Sequence, residues 1–231
     1  MLNAKHKNKI YLFFFTFFIL PISFLFLVSA IEFSESLLNN IEKKYGDYAK
    51  KRVISWEKLM KENQNVSEAE KLEKVNKFFN LLEYLSDKAH WNVEDYWATP
   101  LEFLVSGAGD CEDFSIAKYF TLRELGVDDE KLLITYVKYT EYGGYEQAHM
   151  VLTYYETPTS IPLVLDNIKK EILSADKRSD LRPIYSFNGS GLWRSKELSK
   201  GKKLGTADDV NMWADMQERM KSGKIGNFNP L

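Results

Sequence analysis

The sequence predicts an α+β domain, helices first and an antiparallel sheet after them, on three observations. Apolar residues recur at three- and four-residue spacing through residues 34–62, 67–85 and 111–125, the period of helices with one buried face. From Leu132 onward the pattern changes to short alternating runs rich in β-branched and aromatic residues, divided by Gly-, Pro- and Asn-containing turns, which is how half-buried strands read. Hydrophobic residues make up 45% of the 231, enough for a real core, and the order of the two patterns is that of the α+β class.

At the N-terminus Lys5, Lys7 and Lys9 precede the apolar run Ile10 to Val28, broken only by Thr16, Pro21 and Ser23, and then Val28-Ser29-Ala30 offers the small residues signal peptidase needs. Residues 1–30 are expected to be an export signal. The run is nearly long enough to span a bilayer, so an uncleaved anchor is the alternative. Either way the body, one domain over residues 31–220 with a frayed tail at 221–231, lies outside the cytoplasm. Charges nearly balance, with 31 basic residues against 33 acidic ones, and no basic stripe alternates with aromatics, which argues against a nucleic-acid partner.

Leu37, Leu38, Ile41, Tyr45, Tyr48, Val53, Trp56 and Leu59 form the stripe of a first helix over 34–62, with Gly46 a place to bend. Ser67 and Glu70 make a capping box that opens a second helix running through Leu85. The segment His90 to Pro100 is dense in aromatics (Trp91, Tyr96, Trp97) and reads equally as core or as the wall of a groove. His90 has no partner by spacing and reads as surface or structural. Thr99-Pro100 is an N-cap with proline at the first helical position, opening a short helix that ends near Ser106. Next comes the turn Gly107-Ala108-Gly109-Asp110, then a helix from Cys111 through Phe114, Ala117, Phe120 and Leu125 to Gly126. Strands are predicted at Leu132–Tyr139, Ala148–Tyr155, Leu163–Asp166 and Ile184–Phe187, with Thr206 and Asp209 capping a last helix over roughly 207–220.

Cys111 is the single cysteine. In the first turn of a helix, unpaired N–H groups and the positive end of the dipole favour a thiolate. The bland reading is a small, inert core residue. In an exported chain, however, a thiol with no internal partner is a liability unless it is used. A cysteine nucleophile needs a base, and the base an orienting acceptor. Of three histidines, His6 lies in the signal and His90 in a loop-like stretch, whereas His149 stands near the start of a strand in Gln147-Ala148-His149-Met150-Val151. Asp166 closes the neighbouring strand. A hairpin centred near Thr157-Pro158 sets His149 and Asp166 opposite each other on one face. Alone, either would read as a satisfied core histidine or a turn aspartate; with a helix-start cysteine, in the order Cys, His, Asp, they read as a triad. Asp110, Glu112 and Asp113 flank the cysteine. They are ordinary dipole complements or the start of a Ca²⁺ site. Acids beside a thiol raise its pKa unless a cation offsets them, a physical reason to expect metal dependence.

The runs from Val93 to Leu104, Gly107 to Asp113 and Ala117 to Gly126 resemble the bacterial transglutaminase-like cysteine proteinases. So do Gln147 to Leu152, Leu163 to Asn167 and Tyr185 to Asn188. The resemblance spans roughly residues 40–220. It implies a papain/transglutaminase-like cysteine proteinase fold and a calcium-dependent periplasmic endoprotease. Such an enzyme clips the N-terminal region of a large LapA-like surface adhesin, disperses biofilm, and is sequestered by a LapD-like inner-membrane cyclic-di-GMP receptor. By motif Cys111 is the nucleophile, His149 the base and then acid, and Asp166 the orienting residue, with Asp110, Glu112 and Asp113 the calcium carboxylates. A transglutaminase or amidase would use the same triad, and a non-catalytic, calcium-stabilised binding module is the non-enzyme alternative.

Overall fold

Gly46 splits the first predicted helix in two. Helix α1 (Glu35–Tyr45) ends on it and α2 (Asp47–Glu62) begins after it, because its φ of 88° lies in the left-handed region that side chains disfavour. The computed structural model describes residues 32–196, 199–206, 210–223 and 225–228, so the predicted signal (1–30) and the predicted cap Asp209 lie outside the described residues. Among the described residues no helix is long and apolar enough to cross a membrane.

Helix α3 (Glu68–Phe79) opens on the Ser67–Glu70 capping box. It stops at Phe79, short of the apolar pattern's end at Leu85; the C-cap is Asn80, whose side chain donates to the Asp166 carbonyl at 2.9 Å. The chain then extends as β1 (Glu83–Tyr84), which pairs parallel with β2 (Ala108–Gly109). Between them lie the one-turn α4 (Asp87–His90) and α5 (Pro100–Ser106), the latter capped by Thr99 and Glu102. His90 is buried against the rings of Trp91 and Phe228, a structural place and not a surface one.

After α6 (Cys111–Glu124) come β3 (Leu132–Thr140), β4 (Glu146–Tyr154), β5 (Leu163–Leu165), β6 (Leu173–Ser174), β7 (Leu181–Asn188), β8 (Gly191–Lys196) and β9 (Ser199–Gly205). They form one antiparallel sheet in the order β6-β5-β4-β3-β7-β8-β9. The hairpin β8–β9 escaped the sequence reading because β9, Ser-Lys-Gly-Lys-Lys-Leu-Gly, lacks apolar alternation; lysines on an edge strand blunt it against further pairing. Helix α7 (Asn211–Ser222) starts later than expected, after Val210. Part of the tail expected to fray is docked: the Phe228 ring stacks on Tyr45 at 5.2 Å, and Gly226 N–H donates to Glu102 at 2.8 Å.

Helix α6 is sandwiched. One side meets α3 and α5 and the other lies on β3 and β4, so Phe114, Ile116, Ala117 and Leu122 are all buried. Strand alternation sends Ile134, Met150, Leu152 and Phe187 into this helix-facing core, while Val137, Val151 and Val164 form a smaller cluster on the opposite face. Truncating a wholly buried ring such as Phe103 to alanine costs about 3–5 kcal/mol.

Candidate active site

The start of α6 is fixed by what surrounds it. Helix α5 terminates on Gly107 in the left-handed conformation (φ 86°). At Gly109 a Cβ would collide with the Asp113 carboxylate and the Phe103 ring, so a side chain there does not fit without a shift. Asp113 accepts the Asp110 N–H at 3.3 Å and the Ala98 N–H at 2.7 Å, which ties the helix start to the aromatic segment. Cys111 thus occupies the first helical position, where its N–H has no intrahelical acceptor. The residue is half-buried in a cleft of about 380 Å³ shared with His149 and walled by Tyr84, Trp97, Tyr136 and Tyr185.

His149 and Asp166 meet, though not by the expected register. Strands β4 and β5 pair Leu152 with Leu165 and Thr153 with Val164, which sets Val151, not His149, across from position 166. The hairpin turn is Thr157–Ser160, closed by the Ser160 N–H to the Thr157 carbonyl at 3.1 Å, one residue later than the sequence suggested. A two-residue offset preserves the face, so His149 becomes the diagonal neighbour. Its Nε2 lies 2.9 Å from Asp166 Oδ1, and both side chains are buried. That leaves Nδ1 for the cleft. The Tyr139 ring lies 5.8 Å from the imidazole, centroid to centroid. Because β5 covers only residues 152–154 of β4, the stretch before them is open, and the Met150 backbone N–H is directed at Cys111 Sγ.

The electrostatics of the two ends differ. Burial would push Asp166 up, but the hydrogen bonds from His149 and the Ile168 N–H, with the Arg178 guanidinium, hold it well below the usual carboxylate range. Burial pushes the Cys111 thiol well up. The Glu112 and Asp110 carboxylates push it further, and the Met150 N–H offsets them only in part. The thiol donates to Glu112 Oε2 at 2.9 Å. The thiolate expected from the helix terminus is therefore opposed by the acids beside it.

Those acids form a larger group than the sequence reading found. Asp87, Asp95 and Glu112 place carboxylate oxygens within 4.8 Å of one another, as do Asp87, Asp110 and Asp113. Burial, then Glu112 and Asp113, pushes Asp110 up to about 11; burial pushes Asp87 up to about 7 despite the Tyr96 N–H it accepts. One oxygen of Asp87 and one of Asp110 are buried with no partner among the described residues. Hard oxygen donors in excess, mutually repelling and partly orphaned, fit a divalent cation such as Ca²⁺. Asp113, expected as a third ligand, has both oxygens engaged by backbone N–H groups. Asp87 and Asp95 were missed; they lie 16 or more residues before Cys111, and only the fold of the aromatic segment brings them in.

The family described as bacterial transglutaminase-like cysteine proteinase BTLCP matches residues 46–182. Among solved structures the chain is similar to Legionella pneumophila LapG, with a TM-score of 0.69 and 40% identity over 81% of this chain and 98% of that one. An EGTA-treated form of that protein gives a TM-score of 0.70 at 40% identity, with the same coverage. A calcium-bound form gives 0.68 at 39% identity over 81% and 99%. Curated proteins yield no match.

Proposed function

Because this chain belongs to the bacterial transglutaminase-like cysteine proteinases and is a cysteine peptidase, we propose that it is a calcium-dependent periplasmic endoprotease. Its substrate is the N-terminal region of a large surface adhesin, whose release disperses biofilm, and a LapD-like inner-membrane cyclic-di-GMP receptor restrains it. The single observation that carries the chemistry is the buried His149–Asp166 contact at 2.9 Å, opening on the cleft that holds Cys111. The periplasmic location rests on the basic, apolar and small-residue order of residues 1–30. Adhesin and receptor rest on the family resemblance.

In this reading His149 takes the Cys111 proton as Sγ attacks the scissile carbonyl. Asp166 keeps Nε2–H occupied, so Nδ1 faces the thiol, and it stabilises the imidazolium that forms. The Cys111 N–H, free at the helix start, donates to the oxyanion. His149 returns the proton to the leaving amine, and water then releases the acyl-enzyme. Asp110 and Glu112, with Asp87 and Asp95 beside them, would hold calcium. When bound, it supplies positive charge that offsets the carboxylates raising the Cys111 thiol.

The test is to incubate the purified protein with N-terminal fragments of candidate adhesins, with calcium or with EGTA, and with a labelled amine present. Calcium-dependent cleavage into two fragments supports the reading. Amine incorporation without cleavage replaces it with a transglutaminase. A Cys111→Ala variant that keeps the full biological effect replaces it with a binding module.

A further inference from the structure

The structure assigns a positioning residue that the triad itself does not include: Arg178, whose guanidinium fixes the Asp166 carboxylate and, through it, the His149 ring. Asp166 is the first residue past the end of β5, so the sheet ladder no longer holds its backbone. Its carboxylate is held through its oxygens instead. Oδ1 faces His149 Nε2 at 2.9 Å and accepts the Ile168 N–H at 2.9 Å. Oδ2 accepts from Arg178 Nη2 at 2.7 Å, and among the described residues it has no other partner. Without that bond the carboxylate is held on its Oδ1 side alone, by the Ile168 N–H and the imidazole, and it can turn about its Cβ–Cγ axis and loosen the contact with His149.

Arg178 is itself clamped, and the clamp needs a guanidinium. Nη2 also reaches Asp180 Oδ2 at 2.9 Å, and Nε reaches Asp180 Oδ1 at 3.0 Å; a lysine's single ammonium cannot span both acids with that planar fork. Asp180 is anchored in turn, by Lys169 at 3.1 Å and by its carbonyl accepting the Thr140 N–H, 2.8 Å away at the end of β3. The result is a rigid line, β3 to Asp180 to Arg178 to Asp166 to His149. Arg178 itself lies on the sheet face opposite α6, wholly buried beside Val137, Val151 and Val164. A buried ion pair is weak evidence for stability, since a well-packed apolar replacement often serves as well. One that ends on the residue orienting the base has a different use. The pairing also keeps Asp166 an acceptor-only carboxylate, consistent with its depressed pKa.

The experiment uses the full chain with calcium present and reads two quantities that need no protease substrate: the rate of Cys111 alkylation by iodoacetamide, and the downfield proton resonance of the buried His149 Nε2–H. Arg178→Met is expected to slow alkylation about 10–100-fold and to erase or broaden the resonance while the amide spectrum stays dispersed. Arg178→Lys, keeping the charge without the fork, recovers part of the rate. In an Asp166→Asn background the Arg178→Met change is expected to alter the rate by less than about twofold, because Arg178 acts only through Asp166. A wild-type rate and resonance in Arg178→Met overturns the assignment. So does an Asp166→Asn background in which Arg178→Met still costs its full factor, the mark of a merely structural residue. If Arg178→Met does not fold, Asp180→Asn frees the guanidinium while leaving its Asp166 contact. A rate lowered about threefold with a broadened resonance supports the assignment, and an unchanged rate and resonance overturns it.

Discussion

Two groups of carboxylates stand on either side of the Cys111–His149 pair, and the fold treats them in opposite ways. Behind the histidine, Asp166 has every need met from within: an imidazole, a backbone N–H and a guanidinium, and its pKa falls. Around the cysteine, Asp87, Asp95, Asp110, Glu112 and Asp113 crowd together; Asp110 rises to about 11 and Asp87 to about 7. Asp87, Asp110 and Asp113 are buried, as Asp166 is, so burial is not the difference. The difference is the built-in cation. In the proposed reading the Asp166 site is complete when the chain folds and the other is completed by an ion from solution, which would make the nucleophile conditional and the base permanent.

The largest expected effect tests the permanent half. His149→Ala is expected to lower kcat/KM by about 10³-fold or more with calcium saturating, while the melting temperature in calcium stays within a few degrees of wild type. A small loss would separate His149 from the chemistry altogether. Next comes the conditional half. Transfer from calcium to EGTA is expected to slow cleavage about 10–100-fold and to lower the melting temperature by about 5–10 °C, as loss of a bound stabilising ligand does. If neither changes, the two carboxylate groups are alike after all and the contrast fails.

The difference between the halves also governs what the sequence could reveal. Local signals were legible: the capping box at Ser67, the N-cap at Thr99, the glycine turn at Gly107, and the helix start at Cys111 are all set within a few residues. The His149–Asp166 pairing was legible as a shared face but not as a register, because period-two alternation is blind to an offset of two. Asp87 and Asp95 were hidden, since only the packing of an irregular, aromatic segment carries them to Glu112. Arg178 was hidden for another reason. In Lys177-Arg178-Ser179-Asp180 it reads as one charge of a solvated turn, and nothing in the local pattern says that it is wholly buried.

A pH series sharpens the comparison further. A carboxyl raised in the folded state keeps its proton while the unfolded chain has already lost it, so each such group erodes stability as pH climbs from its ordinary value. For Asp87 that window runs from 3.8 to about 7, and for Asp110 it continues toward about 11. Asp166 has the reverse sign: its contribution is present above the ordinary carboxylate range and is lost only in strong acid. In EGTA the melting temperature is therefore expected to fall between pH 5 and pH 8. Since a cation relieves the repulsion, the increment from calcium is expected to grow over the same interval. A calcium increment independent of pH would mean that the ion binds somewhere other than among these acids.

The smallest effect falls on Glu112, which serves both roles: it belongs to the acid group, and it accepts the Cys111 thiol proton at 2.9 Å. After burial, its charge is the largest influence pushing that thiol up. Replacing it with a neutral isostere should have opposite consequences in the two states of the protein. In EGTA, Glu112→Gln removes the charge and weakens the acceptor, and iodoacetamide is expected to alkylate Cys111 about threefold faster than in wild type. In calcium, the same change deletes an oxygen donor and is expected to slow alkylation and weaken the ion's hold. Opposite signs in the two buffers would tie metal and thiol to one carboxylate. A change of the same sign in both would mean that burial alone keeps the thiol protonated and that the acid group acts only as a clasp.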